Sequence, residues 1–142
     1  MANLSKSKYI TYCQCPKALW LKQYKPEEMV IDPLTQARFD AGTEVGELAK
    51  RLFGNFVEAT TYKTAADETQ RLDLGAMAAA TQKALTEGAE NIAEAAFIYD
   101  GCYCAVDLLH KTPHGYAIYE VKSSTDLKEL EVYAQDVAYQ KY

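Results

Sequence analysis

The 142-residue chain contains no apolar run long enough to cross a bilayer, which sets aside a helical membrane protein. It also has no surplus of basic residues. Fifteen Lys and Arg against twenty Asp and Glu leave a formal net charge of -5. That balance excludes a protein whose whole surface grips nucleic acid through charge, but it leaves room for a local basic groove or for acids that hold metal ions. The opening MANLSKSKYI has no apolar stretch of signal-peptide type, so an intracellular, cytoplasmic protein with reduced thiols is expected. Cysteine is scarce: four residues form two C-x-C pairs, Cys13/Cys15 and Cys102/Cys104, without the two-residue gap of zinc knuckles or thioredoxin-like sites. On a strand Cys102 and Cys104 fall on one side, where free cysteine acts as a small apolar residue.

What is present is ordinary for one globular domain spanning 1–142: 49% hydrophobic and 25% charged residues, with enough length to bury a core unaided. The segment LSKSKYITYCQCPKALWLKQY reads as two short helices, with Ser5 or Ser7 as a cap and Pro16 in the first turn of the second. Tyr9, Tyr12, Leu19 and Trp20 are expected on their buried side. Asp32 and Pro33 start a helix to about Phe53, bounded by Gly54. An extended stretch around FVEAT follows, then a helix near 69–87 stopped by Gly88.

From Ala95 the pattern changes to alternating β-branched and aromatic residues, with Asp100-Gly101 as a type I′ hairpin signal and TPHG as a second turn. This predicts a three-stranded antiparallel meander. DLKELEVYAQDVAYQKY returns to helical character and reaches Tyr142 with no stop signal, which suggests further domains C-terminal to it. Helices, a meander and a closing helix together predict an α/β or α+β fold, a small mixed sheet flanked by helices.

The second turn sets a register. A loop of two residues (Pro113-His114) or of four places Asp107 directly across from Glu120, and a three-residue loop would not. Opposed like charges are unfavourable unless compensated, and a divalent cation is the obvious compensator. Glu120 and Lys122 share one face while Tyr119 and Val121 share the other. Carrying the register through the Asp100-Gly101 turn puts Glu94 in the same cross-strand row as Asp107. Hard carboxylate oxygens hold Mg2+ or Mn2+, with the backbone carbonyl of Val121 as an added ligand, and a lysine orients water or stabilises developing charge. This set suits phosphodiester hydrolysis. The alternative is a surface Glu/Lys ladder with Asp107 solvated.

Asp107 in AVDLL, separated by twelve residues from Glu120 in YEVKSST, resembles the D…ExK core of the PD-(D/E)XK nuclease superfamily, in its RecB-like and CRISPR-associated exonuclease branch. LSKSKYITYCQCPKALWL, AGTEVGELAKRLF and DVAYQKY resemble, in order, that branch's N-terminal helix, its first core helix and the helix after the ExK strand. Within the branch the chain is similar to the N-terminal part of a bacterial family of RecB-like nucleases. The resemblance implies a restriction-endonuclease-like core and metal-dependent cleavage of DNA, of exonuclease type. Asp107 and Glu120 would be metal ligands and Lys122 the catalytic lysine. Glu47 would be the first-helix acid, and Gln140, with Tyr142 less cleanly, would come from the last helix. Gly46 stands where several members carry a metal-binding His. Cys15 matches the N-terminal ligand of an iron–sulfur cluster whose three C-terminal cysteines this chain lacks. No cluster is therefore expected here, and Cys15 is expected either to fill space against Trp20 or to be a remnant of that ligand position. A competing reading is a nuclease-fold module that binds nucleic acid or protein without turnover.

Overall fold

In the computed structural model residues 4–124 and 130–142 are described. They form a mixed α+β fold whose sheet has both parallel and antiparallel pairs. The meander is its centre. Strand β5 (Asn91–Tyr99) turns at Asp100 and Gly101, both with positive φ as a type I′ turn requires, into β6 (Cys102–Thr112). A two-residue loop, Pro113-His114, then leads into β7 (Gly115–Tyr119), with Thr112 paired to Gly115.

Two short strands complete the sheet in parallel. β1 (Leu4–Ser5) lies along Cys102 and Tyr103 of β6, and β2 (Val57–Glu58) lies along Ile92 and Ala93 of β5. Because β5 occupies one edge of β6, β1 and β7 share the other edge end to end. Residues between Tyr103 and Leu108 face the gap left between them, and Asp107 is in that interval.

Helix α4 (Leu74–Thr86) is started by Asp73, whose carboxylate accepts the Ala76 N–H at 3.1 Å. Its small residues let it pack closely on the meander. Ala84 joins Ile92, Ala95, Val106, Leu109 and Ala59 in the main core, and Met77 packs with Ala96 and Tyr103 in a second cluster. Thr81, 1% exposed, spans the layers, since its Oγ accepts the Ala96 N–H at 2.8 Å and donates to Met77 O at 3.0 Å. The expected start of this helix near 69 is corrected. Gln70–Leu72 forms β4, paired antiparallel with β3 (Tyr62–Thr64), and the cap at Asp73 begins the helix only after that hairpin closes.

Helix α3 (Pro33–Ala49) has the expected Asp32 cap, with Oδ1 accepting from Leu34 and Thr35. It ends earlier than Phe53: the chain turns after Ala49, and Gly54 takes φ +88. Asn91 pins that turn, donating to Phe53 O at 3.1 Å and to Asn55 O at 2.9 Å, while Phe53 stacks on His110 at 4.0 Å.

At the N-terminus α1 (Lys6–Gln14) and α2 (Pro16–Tyr24) have the expected boundary at Cys15-Pro16. Their expected buried face does not form. Neither helix contains a buried residue; Tyr9 and Leu19 are half-buried, and Tyr12 and Trp20 are exposed. The reason is that α1 contacts α5 (Leu130–Lys141) and β6 along one side, whereas α2 contacts chiefly α1. Cys15 is exposed rather than filling space against Trp20, and Cys104 is the buried member of the second pair. The start of the C-terminal helical segment, residues 126–129, lies outside the described residues. Among the described residues no helix is long and apolar enough to cross a membrane.

Candidate active site at the gap in the sheet edge

The β6–β7 register, carried one step past its last pair Leu108–Tyr119, sets Asp107 across from Glu120. Strand pairing stops there. The Val121 N–H, which would otherwise point at a neighbouring strand, donates to Asp107 Oδ2 at 2.6 Å. A carboxylate thus takes the place of a backbone carbonyl at the strand's end, and β7 peels away from β6 over the gap.

On the other edge, β5–β6 pairing runs through Ala93–Leu108 and Ala95–Val106 but skips Glu94 and Asp107 without a change of register. Glu94 has φ +54, a left-handed backbone uncommon for a non-glycine residue and unusual inside a strand. Backbone strain of this kind persists only where surrounding packing enforces it. Here the flanking Ala93 and Ala95, both 0% exposed, supply that packing.

Two electrostatic clusters flank Asp107. In the first, the end of β7, the start of α1 and the last turns of α5 meet. Lys6 Nζ is 2.9 Å from Glu120 Oε2 and 3.4 Å from Asp136 Oδ1. Lys122 Nζ is 2.5 Å from Glu120 Oε1 and 2.8 Å from Asp136 Oδ2. Gln140 Nε2 donates to Glu120 Oε2 at 2.6 Å and to Asp136 Oδ1 at 3.0 Å, one helical turn after Asp136 on α5. Two carboxylates bridged by two ammonium groups form a closed, neutral ring. Side chains of Glu120 and Asp136 are only 6% and 8% exposed, so losing one partner would leave a poorly solvated charge. Burial alone would lower the Lys122 ammonium pKa, but hydrogen bonds to Asp136 and Glu120 hold it above its ordinary value. Asp136 is shifted the other way: burial raises its pKa, and Lys122 and Lys6 more than reverse that. Gln140 Oε1 is buried with no hydrogen-bond partner among the described residues.

In the second cluster Lys50 Nζ, at the end of α3, bridges Glu47 Oε1 at 2.7 Å and Glu58 Oε2 at 2.8 Å. A cavity of about 490 Å³ lies between the clusters, with Glu47, Lys50, Glu94, Asp107 and Val121 on its walls. A second lobe of about 400 Å³ continues past Lys6 and Tyr62.

Asp107 and Glu94 are the unbalanced acids. Burial raises the Asp107 pKa and the Glu120 charge raises it further, against the Val121 N–H and the two lysines. Burial likewise raises Glu94, with the Asp107 charge adding to it. Among the described residues Glu94 accepts no hydrogen bond, and neither does the second oxygen of Asp107. Two repelling, half-buried carboxylates beside a polar cavity are short of positive charge, and hard oxygen donors of this type fit Mg2+ or Mn2+. The fit is partial. Among the described residues no group of three or more His, Cys, Asp or Glu side chains converges as a metal shell.

The sequence-derived residues therefore divide into two sets. Asp107, Val121 and Glu47 line one cavity; Glu120, Lys122 and Gln140 share one hydrogen-bond ring; the Val121–Asp107 bond joins the sets. Glu47, 63% exposed, is tied to Lys50, and Gly46 lines the same cavity with open space where a Cβ would stand. Tyr142 is exposed and lies edge-on to Tyr99 at 6.0 Å, outside the ring. Sequence reasoning did not single out Lys6, Lys50, Glu58 or Asp136 as site residues. Asp136, one turn before Gln140, had a usable signal in that spacing. Lys6 had none, since it lies 114 positions from Glu120 in the chain. No family model, curated protein or solved structure matches this chain.

Proposed function

We propose that the chain is a nuclease domain with a restriction-endonuclease-like core that hydrolyses DNA phosphodiesters with Mg2+ or Mn2+. The observation that carries this reading is the placement of Asp107 across from Glu120, joined through the Val121 N–H, with Lys122 on Glu120 and an open cavity at Asp107. Asp107 and Glu94 would hold the metal from the cavity wall, with Glu120 and Glu47 adjoining. A bound divalent ion supplies Lewis-acid polarisation of the phosphate and a water of lowered pKa.

The chain's own residues do the rest. The Val121 N–H fixes the Asp107 carboxylate in one orientation and leaves its second oxygen without a hydrogen bond among the described residues. Lys122 is held charged by Asp136 and Glu120, so it acts as a fixed cation that orients water or offsets charge developing on the phosphate. Lys6 and Gln140 hold Glu120 in place from two other elements.

The deciding experiment is cleavage of labelled single- and double-stranded DNA with Mg2+ or Mn2+ by wild type, D107A and K122A. Equal activity in wild type and variants would remove the proposal. A second reading, a nuclease-fold module that binds without turnover, is favoured by one observation: both oxygens of Glu120 are engaged by lysines and Gln140. Absence of any Mn2+ binding that depends on Asp107 would favour it over the first.

A further inference from the structure

Charge is segregated along this acidic chain. Residues 1–26 contain five lysines and no acid, whereas the remaining 116 hold ten basic and twenty acidic residues. Lys6 is neutralised by Glu120 and Asp136, which leaves Lys8, Lys17, Lys22 and Lys25 as the positive charges of α1, α2 and the residue that follows.

The same two helices expose aromatic rings. Lys17, Trp20 and Tyr24 fall at i, i+3 and i+7 on one face of α2. The Trp20 and Tyr24 rings lie 5.5 Å apart at 39°, and they are 52% and 65% exposed. Tyr12 on α1 is 56% exposed. The neighbouring lysines are little engaged. Lys8, Lys17 and Lys22 make no ion pair among the described residues, Lys22 reaches only Thr11 Oγ1 at 3.3 Å, and Lys25 pairs at 3.5 Å with an exposed Glu27. At its start, α1 brings Ser5, Lys6 and Ser7 to the lobe that Glu94 and Asp107 also line.

We propose that the α1–α2 pair is a stacking platform for single-stranded DNA, positioned to lead a strand into the cavity at Asp107. Phosphates complement the lysines, and unpaired bases offer flat faces to Trp20 and Tyr24, which a duplex keeps buried in its own stack. The choice of DNA as the strand rests on the nuclease reading above; the platform itself rests on the charge and the rings.

Trp20 is the single tryptophan of the chain, so its fluorescence reports on the platform directly. The 142-residue chain is titrated in EDTA, where no turnover occurs, with oligothymidylate, a duplex of equal length, oligouridylate, heparin and phosphatidylserine vesicles. Oligothymidylate is expected to quench Trp20 and to bind more tightly than the duplex or oligouridylate. Y24A is expected to weaken it by about tenfold. K17Q is expected to lower the log–log salt slope by about 0.7, the value for one phosphate on a single strand. No quenching by oligothymidylate would overturn the platform. So would equal quenching by heparin or vesicles, tighter binding of duplex, or unchanged affinity in both variants, while tighter binding of oligouridylate would overturn the choice of DNA as the strand. Quenching without any cleavage in Mg2+ or Mn2+ supports the platform and removes the nuclease reading, while cleavage without quenching overturns the platform alone.

Discussion

The backbone N–H of Val121 donates to Asp107 Oδ2 at 2.6 Å where β7 leaves β6, so the Asp107 carboxylate both ends a strand and faces a cavity. The two roles separate by substitution. An amide oxygen in D107N still accepts that N–H, whereas D107A leaves it without its partner, at a cost of about 1–3 kcal/mol. Urea unfolding should find D107A destabilised and D107N near or above wild type, with both inactive on DNA. Equal stability of the two variants would show that the bond contributes nothing.

Glu94 should oppose folding at neutral pH. Burial and the Asp107 charge raise its pKa in the folded state, so the native protein holds this proton more tightly than the unfolded chain does. That contribution is complete below the ordinary carboxylate pKa and is lost as pH rises through the raised folded value. E94Q keeps the shape and removes the charge. It should raise the melting temperature at pH 7, and the gain should vanish at about pH 4 and below. A gain independent of pH would rule out the electrostatic cause.

The ring around Asp136 has the opposite sign. Lys122 and Lys6 hold the Asp136 pKa below its ordinary value despite burial, so its stabilisation is present above the unfolded pKa and is lost as pH falls through the folded one. D136N should be less stable than wild type at pH 7 by about 1–3 kcal/mol, with the difference shrinking in acid. K6M should show a similar loss, because it strips a partner from both Glu120 and Asp136. Comparison of the two single variants with the double tests the coupling; fully additive losses would mean that the ring is not a unit.

Divalent metal should relieve the repulsion at Asp107. Mn2+ at a hundredfold its dissociation constant should stabilise wild type by about 2.7 kcal/mol. D107N/E94Q should respond to neither Mn2+ nor Mg2+ in a thermal melt. An undiminished shift in that variant would place the ion elsewhere.

Gly46 offers a gain-of-function test. A Cβ there meets nothing within 4 Å, and the residue lines the cavity with Glu94 and Asp107. G46H should add a nitrogen donor and tighten Mn2+ by about tenfold, about 1.4 kcal/mol. Calorimetric titration of both proteins reads this out, and unchanged affinity would mean that the helix position points away from the metal.

The sequence by itself determined what is local or set by short loops. Asp100-Gly101 specifies a tight turn and with it the β5–β6 register that puts Glu94 in the row of Asp107, whereas TPHG marked a second turn without fixing its length; the two-residue Pro113-His114 loop of the structure selected the register that continues to Asp107 across from Glu120. Asp32 and the Cys15-Pro16 boundary were legible for the same reason, since caps act over three or four residues. Tertiary structure alone decided which partners cross long stretches of chain. Lys6 reaches Glu120 only because β1 docks in parallel on β6, and Lys50 meets Glu58 only because β2 docks on β5. It likewise decided that Trp20 and Tyr12 are exposed, because apolar periodicity marks a helical face without saying whether anything packs on it. Two-residue parallel strands have no pattern of their own to read. Their placement depends on the long strands they join, which exist only once the meander has formed.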